Sequence, residues 1–266
     1  MRVPRQIAAV AMALVVSAFA GHAAAAPVMY VHDSVGTLGT VNVQTGEVDI
    51  IGSLGVTLTD IAFDPQGNLW GVSFGAFYSV NATTAETTFV GSHGINAANA
   101  LVFGTNGTLY SAGNLTDNLF TIDTASGAAT SLGSMGFRSG GDLAFNDGQL
   151  YLASNNAELI RIDLSDLANT ELVGAFGVDN VFGLATGDDG ILYGVGGTQI
   201  FAVNTETGAA MNPVEYGGQG LSQAFGQSFF TEAGAQPDPT PVPAPGPFAL
   251  IVLGLLAMGS LRRGRR

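Results

Sequence analysis

One short pattern, repeated five times along the chain, limits what it can fold into more than any other feature. An apolar residue, then Asn or Asp, then a turn occurs at Val41-Asn42, Val80-Asn81, Ile122-Asp123, Ile162-Asp163 and Val203-Asn204. The intervals are 39, 42, 40 and 41 residues. Such a constant period marks a repeat architecture in which each unit buries its apolar face only against its neighbours. Four of the copies are followed by a short strand reaching a glycine, at Gly52, Gly91, Gly133 and Gly174. A second landmark recurs out of phase with the first, at Leu69-Trp70, Leu109-Tyr110, Leu150-Tyr151 and Leu192-Tyr193.

Each repeat thus holds four strands separated by turns. The turns carry suitable chemistry: DPQG, GTNG and GDDG in one hairpin, QTG, ASG and ETG in the next, with Pro, Asn, Asp and Gly where tight turns need them. Four antiparallel strands in about 40 residues form the blade of a β-propeller. The aromatic after each leucine is expected to pack between blades. First strands are expected near Asp60, Ala100, Asp142, Gly183 and Ser222, the last within LSQAFGQSFF. Its partner strands are missing downstream, where a proline-rich segment follows, but VMYVHDS, GTLGTVNV and EVDIIGS supply three near the N-terminus. The sequence therefore predicts an all-β, five-bladed β-propeller closed by strands from both ends. The closing blade divides one plus three, or two plus two if Phe229 and Phe230 start a strand of their own.

Composition narrows the function classes. All 21 acidic residues lie between Asp33 and Asp238, a span with only Arg138 and Arg161 to oppose them, and the chain has no lysine. Nucleic acid is excluded as an expected partner, because phosphate recognition needs clustered basic side chains. The chain has no cysteine, which removes disulfides, thiolate metal sites and cysteine nucleophiles.

Candidate chemistry is sparse. First strands line the channel of a propeller, and Asp60 and Asp142 occupy equivalent positions there. Calcium is the one cofactor considered, since two carboxylates with waters and carbonyls could supply its oxygens. Otherwise the aspartates cap turns or solvate the channel mouth. A carbohydrate-active hydrolase with the same two carboxylates as acid and base is the alternative function, by analogy of fold. His32 and His93 are isolated in sequence, Asp64 and Asp188-Asp189 fall in predicted turns, and Arg161 is expected to extend along an exposed face. The expected role is non-catalytic.

The two ends give an address. Arg2 and Arg5 precede an apolar run from Ile7 to Ala20 and small residues from Gly21 to Ala26, the order of a secretory signal peptide. Cleavage is expected just before Ala25 or Ala26. At the other end the apolar stretch Phe248 to Leu261 is followed by Arg262, Arg263, Arg265 and Arg266. Fourteen residues are short for a membrane span, but clustered arginines beside them stay on the cytoplasmic side.

The last 25 residues, VPAPGPFALIVLGLLAMGSLRRGRR, resemble the PEP-CTERM sorting tail of Gram-negative bacteria. Val242, Pro243 and Pro245 match its motif, while Ala244 stands where the family usually has glutamate. The resemblance implies processing by an exosortase, a membrane anchor through the tail, and delivery to an exopolysaccharide-rich cell surface or matrix. The expected organisation is a signal peptide over 1–26, the propeller over 27–232, a proline-rich linker with the sorting motif over 233–247, and a membrane segment over 248–266. The expected function is a binding or structural component of that surface, with extracellular polysaccharide as a partner.

Overall fold

In a computed structural model of the protein, residues 27–234 are described. The expected signal peptide, Val242, Pro243, Pro245, the apolar tail and its four arginines lie outside the described residues. Among those described, no helix is long and apolar enough to cross a membrane.

Twenty strands form five antiparallel sheets of four. The second blade in chain order holds β4 (Asp60–Phe63), β5 (Leu69–Val72), β6 (Ala76–Val80) and β7 (Thr87–Ser92). The third holds β8 (Ala98–Phe103), β9 (Leu109–Gly113), β10 (Asn118–Ile122) and β11 (Ala129–Ser134). The fourth holds β12 (Ser139–Asn146), β13 (Gln149–Ser154), β14 (Glu158–Ile162) and β15 (Glu171–Ala175). The fifth holds β16 (Val181–Thr186), β17 (Leu192–Gly196), β18 (Gln199–Val203) and β19 (Ala210–Glu215).

The remaining blade closes the ring. Its order is β20 (Ala224–Phe229), β1 (Val28–Asp33), β2 (Thr37–Asn42), β3 (Val48–Ser53), so one C-terminal strand joins three N-terminal ones. The register runs from Met29 opposite Phe229 to Asp33 opposite Ala224. Phe230 falls after β20 and starts no further strand, so the division is one plus three. Asp33 ties the joint: it accepts hydrogen bonds from Val35 N and Thr37 N with one oxygen and from Ser222 N, at 2.9 Å, with the other.

Burial follows from the ring. Inner strands are covered on both faces, so β8 is buried at all six positions, while outer strands such as β7 are mostly exposed. The apolar side chains gather in five clusters, each shared by two adjacent blades. The aromatic after leucine works as expected: Tyr110 meets Phe145 of the next blade at 5.7 Å, and Tyr193 meets Phe229 of the closing blade at 5.6 Å. Trp70 stacks on Phe77 of its own blade, at 5.2 Å, while packing against the cluster shared with the third blade, and its indole N–H is held by Asp64.

The recurring glycine of the fourth strand also finds its reason. At Gly91 an added Cβ would lie 2.0 Å from the carbonyl oxygen of Ser126, in the hairpin turn of the following blade. Only a residue without a side chain lets that turn seat against the strand. The pairing of third and fourth strands slips by one residue in every blade, between Leu38 and Gly39, Phe77 and Tyr78, Leu119 and Phe120, Leu159 and Ile160, and Ile200 and Ala202. Such bulges interrupt an otherwise continuous sheet edge. Arg161 does not simply extend over its blade: it pairs with Glu171, its cross-strand partner on β15.

Candidate functional site

The upper mouth of the ring is the end where inner strands begin, and the lower mouth the end where they finish. The position just inside the upper mouth is set by pairing with the second strand. Asp60 opposes Val72, Ala100 opposes Ala112, Asp142 opposes Ala153, Gly183 opposes Val195, and Gly226 opposes His32. The fifth member is thus Gly226 rather than Ser222, which precedes β20. The long loop Gly217–Gln223 before that strand displaced the spacing.

Asp60 and Asp142 are brought together at the axis, both fully buried and within hydrogen-bonding reach of each other. One oxygen of Asp60 accepts from Ile61 N at 2.8 Å and the other from Leu101 N of the next blade at 2.6 Å. Asp142 does the same with Leu143 N at 2.6 Å and Leu184 N at 2.8 Å. Each aspartate therefore staples two neighbouring inner strands. Glycine makes the room: an added Cβ at Gly226 would lie 2.3 Å from an Asp60 carboxyl oxygen. Burial pushes both carboxyls well above the usual carboxylate range, and two facing carboxyls hold a proton between them for the same reason.

Three further polar residues reach the axis: His32 stands where the other blades have Val72, Ala112, Ala153 and Val195, Gln227 where they have Ile61, Leu101, Leu143 and Leu184, and Glu232 has no counterpart. His32 and Gln227 are fully buried with all four side-chain polar atoms lacking a protein partner. Burial holds His32 down at about 4, against the opposing pull of Asp33. Glu232 turns its carboxyl up beneath the axis, where it accepts from Ser228 Oγ at 2.9 Å and Thr186 N at 3.2 Å. Burial raises it to about 8. The residue as a whole is half-buried, where it lines the lower mouth.

This geometry bears on the chemistry expected of the two aspartates. Among the described residues no group of three or more His, Asp or Glu side chains is arranged to hold a metal ion. The carboxyls of a glycosidase stand about 5–9 Å apart across an open cleft. Here they lie within hydrogen-bonding reach of each other, are buried and are occupied by backbone donors, which does not suit acid–base attack on a sugar.

One set of accessible features lies at the upper mouth. The residues immediately before the axial positions are Thr59, Asn99, Gly141, Phe182 and Phe225, and with Phe74 and Asn114 they line an apolar cup of about 180 Å³. Phe74 is 61% exposed, which is unusual for a phenylalanine held in a tight turn between strands. Phe182 and Phe225 meet edge to face at 6.1 Å. Asn99 is only 7% exposed; its amide nitrogen reaches Ser139 O at 3.5 Å, and its oxygen has no partner. The cup opens through Asn114, Gly140 and Phe182 into a polar groove of about 440 Å³ carrying Asn155, Asn156, Asp179 and Asn180. Sequence reasoning missed these residues, although the signal was present one position before each axial landmark.

Similarity to solved structures is a likeness of fold. A chain in the crystal structure of a nidogen/laminin complex aligns with 76% of this chain and 97% of itself, at a TM-score of 0.54 and 10% identity. A chain from work on the de novo evolutionary emergence of a symmetrical protein aligns over 77% and 95%, at a TM-score of 0.47 and 19% identity. No family model and no curated protein matches the chain.

Proposed function

We propose that this is a non-catalytic binding protein of the bacterial surface or matrix, exported by its N-terminal signal and anchored or sorted through its PEP-CTERM-like tail by an exosortase-type enzyme. Its upper mouth binds a segment of extracellular polysaccharide. The observation that carries this reading is the continuity of the aromatic cup with the amide-lined groove. A sugar ring presents an apolar C–H face and a rim of hydroxyls. The first suits Phe74, Phe182 and Phe225, and the second suits Asn99, Asn155, Asn156 and Asn180, whose amides both donate and accept. The unpartnered oxygen of Asn99 is a buried acceptor that a ligand hydroxyl would satisfy. The strong negative charge, with Asp179 in the groove, favours neutral over acidic glycans.

The test is titration of the purified full chain with neutral and uronic-acid polysaccharides, beside Phe74→Ala and Asn99→Ala. Neutral glycan should bind, and each variant should weaken it about tenfold, the loss of one stacking or hydrogen-bonding contact. Equal affinity of both variants and the parent would refute the assignment.

A further inference from the structure

A second cavity, of about 430 Å³, lies under the lower mouth, and its chemistry is unlike that of the upper one. Thr105 and Asn106, from the first turn of the third blade, form one side; Asp147 and Gly148, from the corresponding turn of the fourth, form another. Tyr110 and Phe145 meet edge to face between them, and Glu232 lines the cavity beside Thr186. No basic side chain is among the lining residues. Arg161 borders the neighbouring depression, but Glu171 engages it.

Two aromatic rings and a carboxyl group lining one cavity, within an acidic body, attract one kind of ligand. Ring faces carry negative quadrupole potential, and a cation bound over them is stabilised further when a carboxylate neutralises it away from water. An inorganic divalent ion needs a dense oxygen shell, and among the described residues no group of three or more acidic or histidine side chains is arranged to supply one. A cation that spreads its charge over methyl or methylene groups fits both surfaces. We propose that the lower cavity binds an alkylammonium ion, its charged head over Tyr110 and Phe145 and facing Glu232.

The groups around Glu232 support the assignment. Thr186 N and Ser228 Oγ occupy one direction at each carboxyl oxygen, leaving further acceptor capacity on both. Asp60 and Asp142 stand along the axis with His32, which burial keeps neutral, while Asp147 stands at the rim and the Tyr110 phenol in the wall, so no cationic group faces the site. With its carboxyl at about 8, Glu232 is largely protonated in neutral solution. A bound cation favours the ionised form and expels that proton, so binding must tighten as pH rises.

Choline is a suitable probe, with 3,3-dimethylbutan-1-ol as its uncharged counterpart of the same shape. Titrations of the full chain followed by NMR or calorimetry should show choline binding at least tenfold more tightly than the alcohol. Its affinity should rise on the order of 50-fold between pH 6 and pH 8.5, as the ionised fraction of a group titrating near 8 grows. Glu232→Gln should abolish both the preference and the rise. Tyr110→Ala should weaken choline several-fold and leave the pH dependence in place, and thermal melts of both variants would establish that they are folded. The proposal is overturned if the alcohol binds as well as choline, if affinity is flat with pH, if folded Glu232→Gln behaves like the parent, or if calcium binds at these residues and choline does not. Glycan binding at the upper mouth is read separately and stands or falls on its own.

Discussion

Replacing Glu232 by glutamine tests whether the carboxyl beneath the axis is held protonated by the fold. The carboxyl titrates near 8 in the ring against its usual 4.5. Between those values the folded chain holds a proton that the unfolded chain has released, so stability falls as pH rises. His32 acts in the opposite sense: its folded value of about 4 lies below the usual 6.5, so it costs stability as pH falls through that interval. At pH 6.5 the unfolded histidine is still half protonated and its opposition fades over the next pH unit, equally in parent and variant, so it cancels in their difference. The slope is about 1.4 kcal/mol per pH unit well below 8 and halves at 8, which gives somewhat under about 2 kcal/mol over the window from pH 6.5 to 8. A domain of this size converts that into a fall in melting temperature of roughly 4–8 °C. Glutamine has the same shape, still accepts from Thr186 N, and can donate to the rotatable hydroxyl of Ser228. Calorimetric melts of parent and Glu232→Gln at pH 6.5, 7.3 and 8 should therefore diverge, the variant losing about 2 kcal/mol less than the parent. The buried Asp60–Asp142 pair adds a slope of the same sign, and because the Glu232 charge is one of the causes that raise both aspartates, its removal lessens that slope in the variant and widens the divergence. Parallel curves would show that the carboxyl is already ionised in the fold, and the reasoning would fail.

Deleting residues 28–34 removes β1, which bridges β20 to β2, so the ring should open and the melting temperature should drop sharply; an unchanged melt would contradict the closure. Asp60→Asn leaves either Ile61 N or Leu101 N without an acceptor, at a cost of about 1–3 kcal/mol, measurable as a lower denaturant midpoint. Calcium should leave the melt of the parent protein unchanged, because both axial aspartates already bind backbone donors; a gain abolished by Asp60→Asn or Asp142→Asn would instead establish a calcium site there. Serine in place of Arg262, Arg263, Arg265 and Arg266 should release unprocessed chain across the membrane, whereas Pro243→Ala with Pro245→Ala should retain it with an intact tail. Mass spectrometry of C-terminal peptides reads that difference, and identical partitioning of all forms would refute the sorting tail.

The architecture was legible because it is written in repeats. Val41-Asn42 and its four counterparts fix a hairpin in every blade: Asn42 Oδ1, for example, accepts from Gln44 N and Thr45 N. Leu69-Trp70 and its counterparts fix the second strand in the same way. Asp60 and Asp142 could be paired because they occupy one position of that repeat. The functional surface was harder to read because it consists of departures from the repeat. Phe182 and Phe225 stand where the other blades have Thr59, Asn99 and Gly141, and a pattern search discards differences of that kind. Glu232 lies after the last strand, where no repeat unit remains to predict its place, and His32 reaches the axis only because β1 pairs with β20, bringing it opposite Gly226 from 194 positions away in sequence.

The closing joint also determines how the ring carries load. Residue 234 follows β20 by five positions, so tension applied through the chain beyond it enters the innermost strand of a blade and not an outer one. β20 is hydrogen-bonded to β1 along one side and flanked by the inner strands β4 and β16. A pull along the strand, resisted by material held at the opposite mouth, would shear the whole β20–β1 register at once instead of unzipping it pair by pair. Shear of that kind gives a single high rupture force followed by loss of the entire ring. Single-molecule extension from the C-terminal end should show that one event, where a blade-by-blade unravelling would give five smaller ones.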